Sequence, residues 1–130
     1  MRIVFDTNIF ISAFIFPEST ANEALRKIIQ GEDHLIISKA ILDELLGVLA
    51  RKFSRDREAL ARIAVLLADI GLLVKPGHKI NVLSDEADNR ILECAIKGEA
   101  DIIVTGDHAL LNLGNYMGIK IMSLRKYLDM

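Results

Sequence analysis

Apolar residues fall along this chain in two rhythms. Short uninterrupted runs, Ile3-Val4-Phe5, Leu35-Ile36-Ile37, Leu72-Leu73-Val74 and Ile102-Ile103-Val104, alternate with longer stretches in which apolar positions recur at helical spacing. The short runs are rich in β-branched residues and read as strands covered on both faces, as in a parallel sheet. Ile119-Lys120-Ile121 reads as one more short strand. Between them the pattern predicts helices. A short buried helix over residues 9–16 ends near Pro17, and Thr20-Ala21-Asn22-Glu23 fits a capping box for a helix stopped by Gly31. Ser38 caps a helix running to about residue 53, and another covers about residues 56–69. The run 84–88 opens a helix ended by Gly98. A weak helical turn follows Asp107, and Ser123 caps a terminal helix. Strand–helix alternation with short connections predicts an α/β fold. It is a three-layer α/β/α sandwich around a parallel five-stranded sheet, in one domain spanning residues 1–130.

Two runs end alike. Phe5 is followed by Asp6, Thr7 and Asn8, and Val104 by Thr105, Gly106 and Asp107. Parallel strands in one sheet bring both acids to the carboxyl edge, where open α/β sheets bind ligands. Two carboxylates held close raise each other's pKa unless a cation sits between them. Two more acids occupy helix positions that patterning assigns to apolar residues. Glu44 shares a face with Ala40, Ile41 and Val48, and Asp88 lies one turn before Ile91 and Leu92. Acids on apolar stripes are rarely buried without a partner. Each acid alone has a plainer reading. Asp6 and Asp107 suit helix caps, Asp88 suits the third helical position behind an Asp85 cap, and Glu44 suits a half-exposed helix face. Four such acids at four element ends favour convergence on a hard cation, Mg²⁺ or Mn²⁺.

The order and spacing of these pieces resemble the PIN-domain ribonucleases, especially the toxin-like branch of prokaryotic toxin–antitoxin pairs. The resemblance rests on Val4-Phe5-Asp6-Thr7-Asn8, the Ser38–Glu44 segment, Asp88-Asn89-Arg90-Ile91-Leu92-Glu93-Cys94-Ala95 and Val104-Thr105-Gly106-Asp107. It covers nearly the whole chain. It implies a Mg²⁺/Mn²⁺-dependent endoribonuclease in which Asp6, Glu44, Asp88 and Asp107 bind the metal, with Asn8 and Thr105 bracing the first and last of them. It also implies an RNA substrate, a small antitoxin partner and a homodimer or higher homo-oligomer. The abundance of apolar positions at Ile63, Val65, Leu66, Leu67 and Ile70 adds to the expectation of self-association. One departure stands out: relatives often carry a further acid just after the last metal Asp, and here His108-Ala109 follows. The alternative is a catalytically attenuated PIN fold acting mainly as a protein- or RNA-binding module.

Composition narrows the rest. At 52% apolar and 26% charged residues the chain holds enough core to fold. A net charge of −2 gives no global attraction to nucleic acid, so a polyanion must be met by local cations. Arg51, Lys52, Arg55 and Arg57 form the one basic cluster; it reads as a solvated helix end or as a grip on RNA phosphates. Aromatics make up 5% with no Trp, so no stacking platform for single strands is expected. The single Cys94 excludes an internal disulfide and a cysteine zinc site, and reads as a small core residue. His34, His78 and His108 are scattered; only His108 is a candidate for touching substrate. No signal peptide or membrane span is legible, which places the protein in the cytoplasm. A receiver domain is excluded because the third strand ends Val74-Lys75-Pro76. A dehalogenase-type phosphatase is excluded because position 8 is Asn.

Overall fold

The computed structural model describes residues 1–130. In chain order the elements are β1 (Arg2–Phe5), α1 (Thr7–Ile15), α2 (Thr20–Ile29), β2 (His34–Ser38), α3 (Lys39–Lys52), α4 (Arg57–Ile70), β3 (Gly71–Val74), α5 (Glu86–Lys97), β4 (Ile102–Val104), α6 (His108–Leu113), β5 (Asn115–Tyr116), β6 (Ile119–Met122) and α7 (Leu124–Leu128). The strands form one sheet in the order β3-β2-β1-β4-β6-β5. Five of them are parallel, as the apolar runs predict, and the central runs are interior: Ile3, Val4, Ile36, Ile103 and Val104 are essentially inaccessible. The run Leu72-Leu73-Val74 departs from the expectation of strands covered on both faces: β3 is an edge strand, and its Leu72 and Leu73 are exposed. The helices flank this sheet, and no helix is long and apolar enough to cross a membrane.

The sheet differs from the expected five strands by one. β5 adds a two-residue antiparallel edge, with Tyr116 paired to Ile119. Its loop is Met117-Gly118, both at positive φ (50° and 88°), and such two-residue loops match the natural twist of a hairpin. Asn115 Oδ1 accepts from the Gly118 N–H at 3.2 Å and closes the turn. So short a strand has no apolar run of its own to announce it. A second correction concerns α2. Its cap is Ser19, accepting from the Asn22 N–H, and Thr20 is already helical. Ser19 also donates its hydroxyl to the Ser12 carbonyl, which ties the cap to α1 and favours it over Thr20. The cap at Ser38 stands where expected, on the Ile41 N–H.

The strand order fixes where a site can form. The chain moves from β1 to β2 on one side and returns to β4 on the other, so the order reverses between β1 and β4. Crevices form at such switch points, beyond the carboxyl ends of the strands. Register sharpens this, because Phe5 pairs with Val104 and the next residues on each strand, Asp6 and Thr105, emerge side by side. The Asp6 N–H continues the ladder by donating to the Val104 carbonyl at 2.9 Å.

The end of α5 is equally constrained. A Cβ added at Gly98 would clash with Ile36 Cγ2 on β2, so helix and sheet approach closely only because this position lacks a side chain. Gly98→Ala is expected to destabilise the protein by about 1–3 kcal/mol through overpacking. Denaturant melts giving equal stability for parent and variant would contradict that reading of the contact.

Candidate active site

Each acid is delivered by the end of an element. Asp6 ends β1 and is the N-cap of α1, its Oδ1 accepting from the Asn8 N–H at 3.2 Å. Its other oxygen accepts the Thr105 hydroxyl at 2.6 Å. Thr105, wholly buried after β4, turns the same hydroxyl oxygen toward the Asp107 N–H, which donates at 3.0 Å. One hydroxyl therefore fixes Asp6 and positions the turn that carries Asp107. Asp107 caps α6 by accepting from the Ala109 N–H. Glu44 projects from the second turn of α3, beside buried Ile41 and Leu45 but itself exposed. Asp88 lies in the first turn of α5 and is only 6% exposed.

All four line one cleft of about 330 Å³ at the carboxyl edge of the sheet. The cap readings hold for Asp6 and Asp107, which cap helices and face the cleft at once. For Asp88 the cap reading fails: Asp85 caps α5 through the Ala87 N–H, and Asp88 takes no part in that cap. The Asp88 carboxyl instead lines the cleft, where Asp107, Asp85 and Asp6 are near enough to raise its proton affinity.

A fifth acid lines the same cleft. Asp85 reads from sequence as a cap and nothing more. The signal was its place three residues before Asp88, at the start of a helix whose first turn faces the sheet edge. No Lys or Arg lines the cleft, and His108 is its one histidine. Asn8 faces the cleft but braces Asp6 through its backbone N–H, and no side-chain hydrogen bond joins them. Arg51, Lys52, Arg55 and Arg57 are exposed at the far end of α3 and the start of α4, outside the cleft lining.

This packing of acids shows in their proton affinities. Burial pushes the Asp88 carboxyl up to about 7, helped by Asp107, Asp85 and Asp6. Burial likewise raises Asp6, against the lowering effect of the Thr105 and Asn8 hydrogen bonds. Glu44, although exposed, is raised by the partial loss of water against the cleft wall and then by the charges of Asp6 and Asp85. A buried acid beside further acids, with no basic side chain to answer them, suits a cation. The donor set is carboxylate oxygen, with neither Cys nor a converging His, which suits a hard divalent ion such as Mg²⁺ or Mn²⁺. No three of these side chains already close on one point at ligand distance. Gathering round an ion calls for rotation, and exposed Glu44 has that freedom.

The chain is similar to known proteins in sequence and in fold. Residues 2–109 match the PIN domain family. A protein of Methanocaldococcus jannaschii, itself uncharacterized, is 31% identical over 117 residues, which cover 87% of this chain and 75% of that one. Among solved structures, a chain of VapBC2 from Rickettsia felis, crystallised bound to a DNA fragment from its promoter, superposes with a TM-score of 0.68 at 15% identity. The match covers 95% of this chain and 98% of that one. A chain of VapBC-1 from nontypeable Haemophilus influenzae gives 0.66 at 18% identity, covering 96% and 99%. At these identities the two structures establish the fold, and the sequence matches establish the kinship: the chain belongs to the PIN-domain family.

Proposed function

We propose that this chain is a Mg²⁺- or Mn²⁺-dependent endoribonuclease, working as the toxin of a toxin–antitoxin pair in the cytoplasm through a single domain, residues 1–130. PIN domains are usually nucleases, and that much comes with the family. The observation that carries the finer reading is Asp88, a buried carboxyl set against Asp107 in a cleft that offers no basic side chain. In this reading Asp6, Glu44, Asp88 and Asp107 hold the metal.

Bound there, divalent ions would neutralise the scissile phosphate and lower the pKa of the attacking water. The chain's own residues do the positioning. Thr105 and the Asn8 N–H hold the two Asp6 oxygens in fixed directions. Thr105 also anchors the turn bearing Asp107. Asp88 would bind such an ion as the carboxylate, so binding there would be accompanied by release of its proton. Arg51, Lys52, Arg55 and Arg57 lie outside the cleft and would grip RNA phosphates away from the reacting bond. The test is an RNA pool incubated with the protein in Mn²⁺ or in chelator. Cleavage that requires Mn²⁺ supports the reading, and intact RNA in both sinks it.

Partners are proposed on different grounds. The fold likeness to chains of VapBC complexes supports an antitoxin. An apolar surface supports contact with a protein. Val65 on α4 is 61% exposed, and Leu72 and Leu73 on the adjoining edge strand β3 are 51% and 57% exposed. An edge strand with bare apolar side chains invites pairing. This surface favours a homodimer in addition to catalysis, more than the alternative of a binding module with attenuated chemistry. Light scattering at micromolar concentration is expected to give at least twice the mass of the 14.5 kDa chain. A monomer there contradicts self-association.

A further inference from the structure

The two edges of the sheet are finished differently. β5 is two residues long and turns straight back onto β6. β3, Gly71–Val74, pairs with β2 in unbroken register from Leu35 opposite Gly71 to Ser38 opposite Val74, and its other side is free. It contains no Pro, bulge or charged side chain of the kind that blunts an edge, so its outward backbone N–H and C=O groups stand open to another strand.

The side chains say what shape of occupant fits. Leu72 and Leu73 are neighbours on a strand, so they point to opposite faces of the sheet, and both are exposed. Leu72 is level with Ile36, which meets the end of α5 at Gly98. Leu73 is level with Ile37, on the face where a Cβ added at Gly71 would meet Ile37 and Leu67 of α4. A helix laid on either face hides one leucine and leaves the other bare. A strand added to the edge flanks both, and takes up the outward backbone groups as well.

Charge at the ends of β3 selects which strand. Asp69 precedes it and Lys75 follows it; both are exposed and neither is in an ion pair within this chain. A second copy related by a two-fold axis at this edge runs antiparallel, so the acidic end of each strand meets the basic end of the other. A parallel partner of the same sequence would set acid against acid. The two-fold stands perpendicular to the sheet and keeps both copies of α4 on one face, where Ala61, Val65 and Ala68 form an exposed apolar stripe at helical spacing.

We propose that β3 is the seam of a homodimer: two copies pair β3 to β3, antiparallel about Leu72 and Leu73, and join their two sheets into one. The proposal rests on the self-association reading above and gives it an interface. Because the two-fold reverses strand direction, the two acidic clefts open at opposite ends of the joined sheet, and each chain keeps its own.

Sedimentation equilibrium of the parent, Leu72→Lys, Leu73→Lys, Asp69→Lys, Lys75→Asp and the combined Asp69→Lys/Lys75→Asp variant tests it. The parent is expected at twice the 14.5 kDa chain mass. Either leucine change is expected to weaken the dimer by about tenfold or more, since both copies lose apolar contact and gain a like charge at the seam. Each single reversal sets like charges together at both ends and weakens it too. The combined reversal is expected to restore the parent's dissociation constant to within about twofold, which a side chain needed only for folding would not do. Amide exchange of the parent needs no variant: the Leu72–Val74 N–H groups should be protected at micromolar concentration and lose that protection on dilution to monomer. A dimeric parent whose dissociation constant ignores these substitutions, or whose β3 amides exchange alike in dimer and monomer, overturns the seam while self-association stands. A monomeric parent overturns both.

Discussion

Replacing Asp6 or Asp107 by Asn is expected to abolish metal-dependent RNA cleavage, by at least about 100-fold, while leaving metal-free stability unchanged or higher. The two halves of that result come from different physics. Asn caps a helix about as well as Asp, so the bonds to the Asn8 and Ala109 N–H groups survive the substitution. At position 6 the amide nitrogen replaces the oxygen that accepts the Thr105 hydroxyl, a loss set against the relief of repulsion. The rise in metal-free stability is therefore expected to be larger for the change at Asp107. Each change also removes one of several like charges held close together, which relieves repulsion in the metal-free protein. What is lost is an anionic oxygen for the cation. Mn²⁺ should therefore raise the melting temperature of the parent, because a ligand that binds only the folded state stabilises it. The same concentration should do far less for either variant. Melts in chelator and in Mn²⁺, run with cleavage assays, decide the matter. If the variants lose stability in chelator and Mn²⁺ leaves the parent's melt unmoved, the acids are structural and the nuclease reading fails.

The second large effect is a pH dependence that reverses when metal is added. Asp88 is raised by burial and its acidic neighbours to about 7, and Asp6 and Glu44 move upward too. A carboxyl whose folded pKa exceeds its unfolded value binds more protons when folded. Stability from these groups is therefore fully present below the unfolded value near 4 and is lost as pH rises toward 7. Asp33 works the other way. Burial alone would raise it, but the Tyr127 hydroxyl, the Met1 amine and Lys27 together lower it. Its contribution is present above about 4 and is lost only as pH falls below that. Between pH 5 and 7.5 the cleft governs. In chelator the melting temperature should fall across that range, and Asp88→Asn should flatten the slope. Mn²⁺ must displace the proton, so its affinity should strengthen by about tenfold per pH unit up to 7. A parent whose melt is flat or rising in chelator, or whose Mn²⁺ affinity ignores pH, would falsify this account of Asp88.

Much of this was legible from sequence because the determinants are local. Ile3-Val4-Phe5 and Ile102-Ile103-Val104 read as strands from their continuous apolar character, and the acids that follow them leave at the strand ends. That these two runs are covered while Leu72 and Leu73 are exposed depends on strand order, which puts β3 at the edge. Ser38 announces the helix that carries Glu44, and the apolar stripe of α5 shows Asp88 out of place. What sequence could not supply depends on which elements become neighbours. The register pairing Phe5 with Val104 brings Thr105 against Asp6, across ninety-nine residues of chain. Nothing local in either segment encodes that contact. The hairpin at β5 leaves no signal in the sequence because two residues carry no periodicity; it forms from the turn geometry of Met117-Gly118 and the free edge of β6. Asp85 reads as a cap and is one, since a cap is satisfied by its own helix. Only the packing of α5 against the sheet places that cap in the lining of the same cleft as the other acids. The sequence determined which residues end each element, since backbone propensity and burial act over a few positions. The tertiary structure decided which of those ends meet, because that follows from strand order, register and the packing of α5 on the sheet.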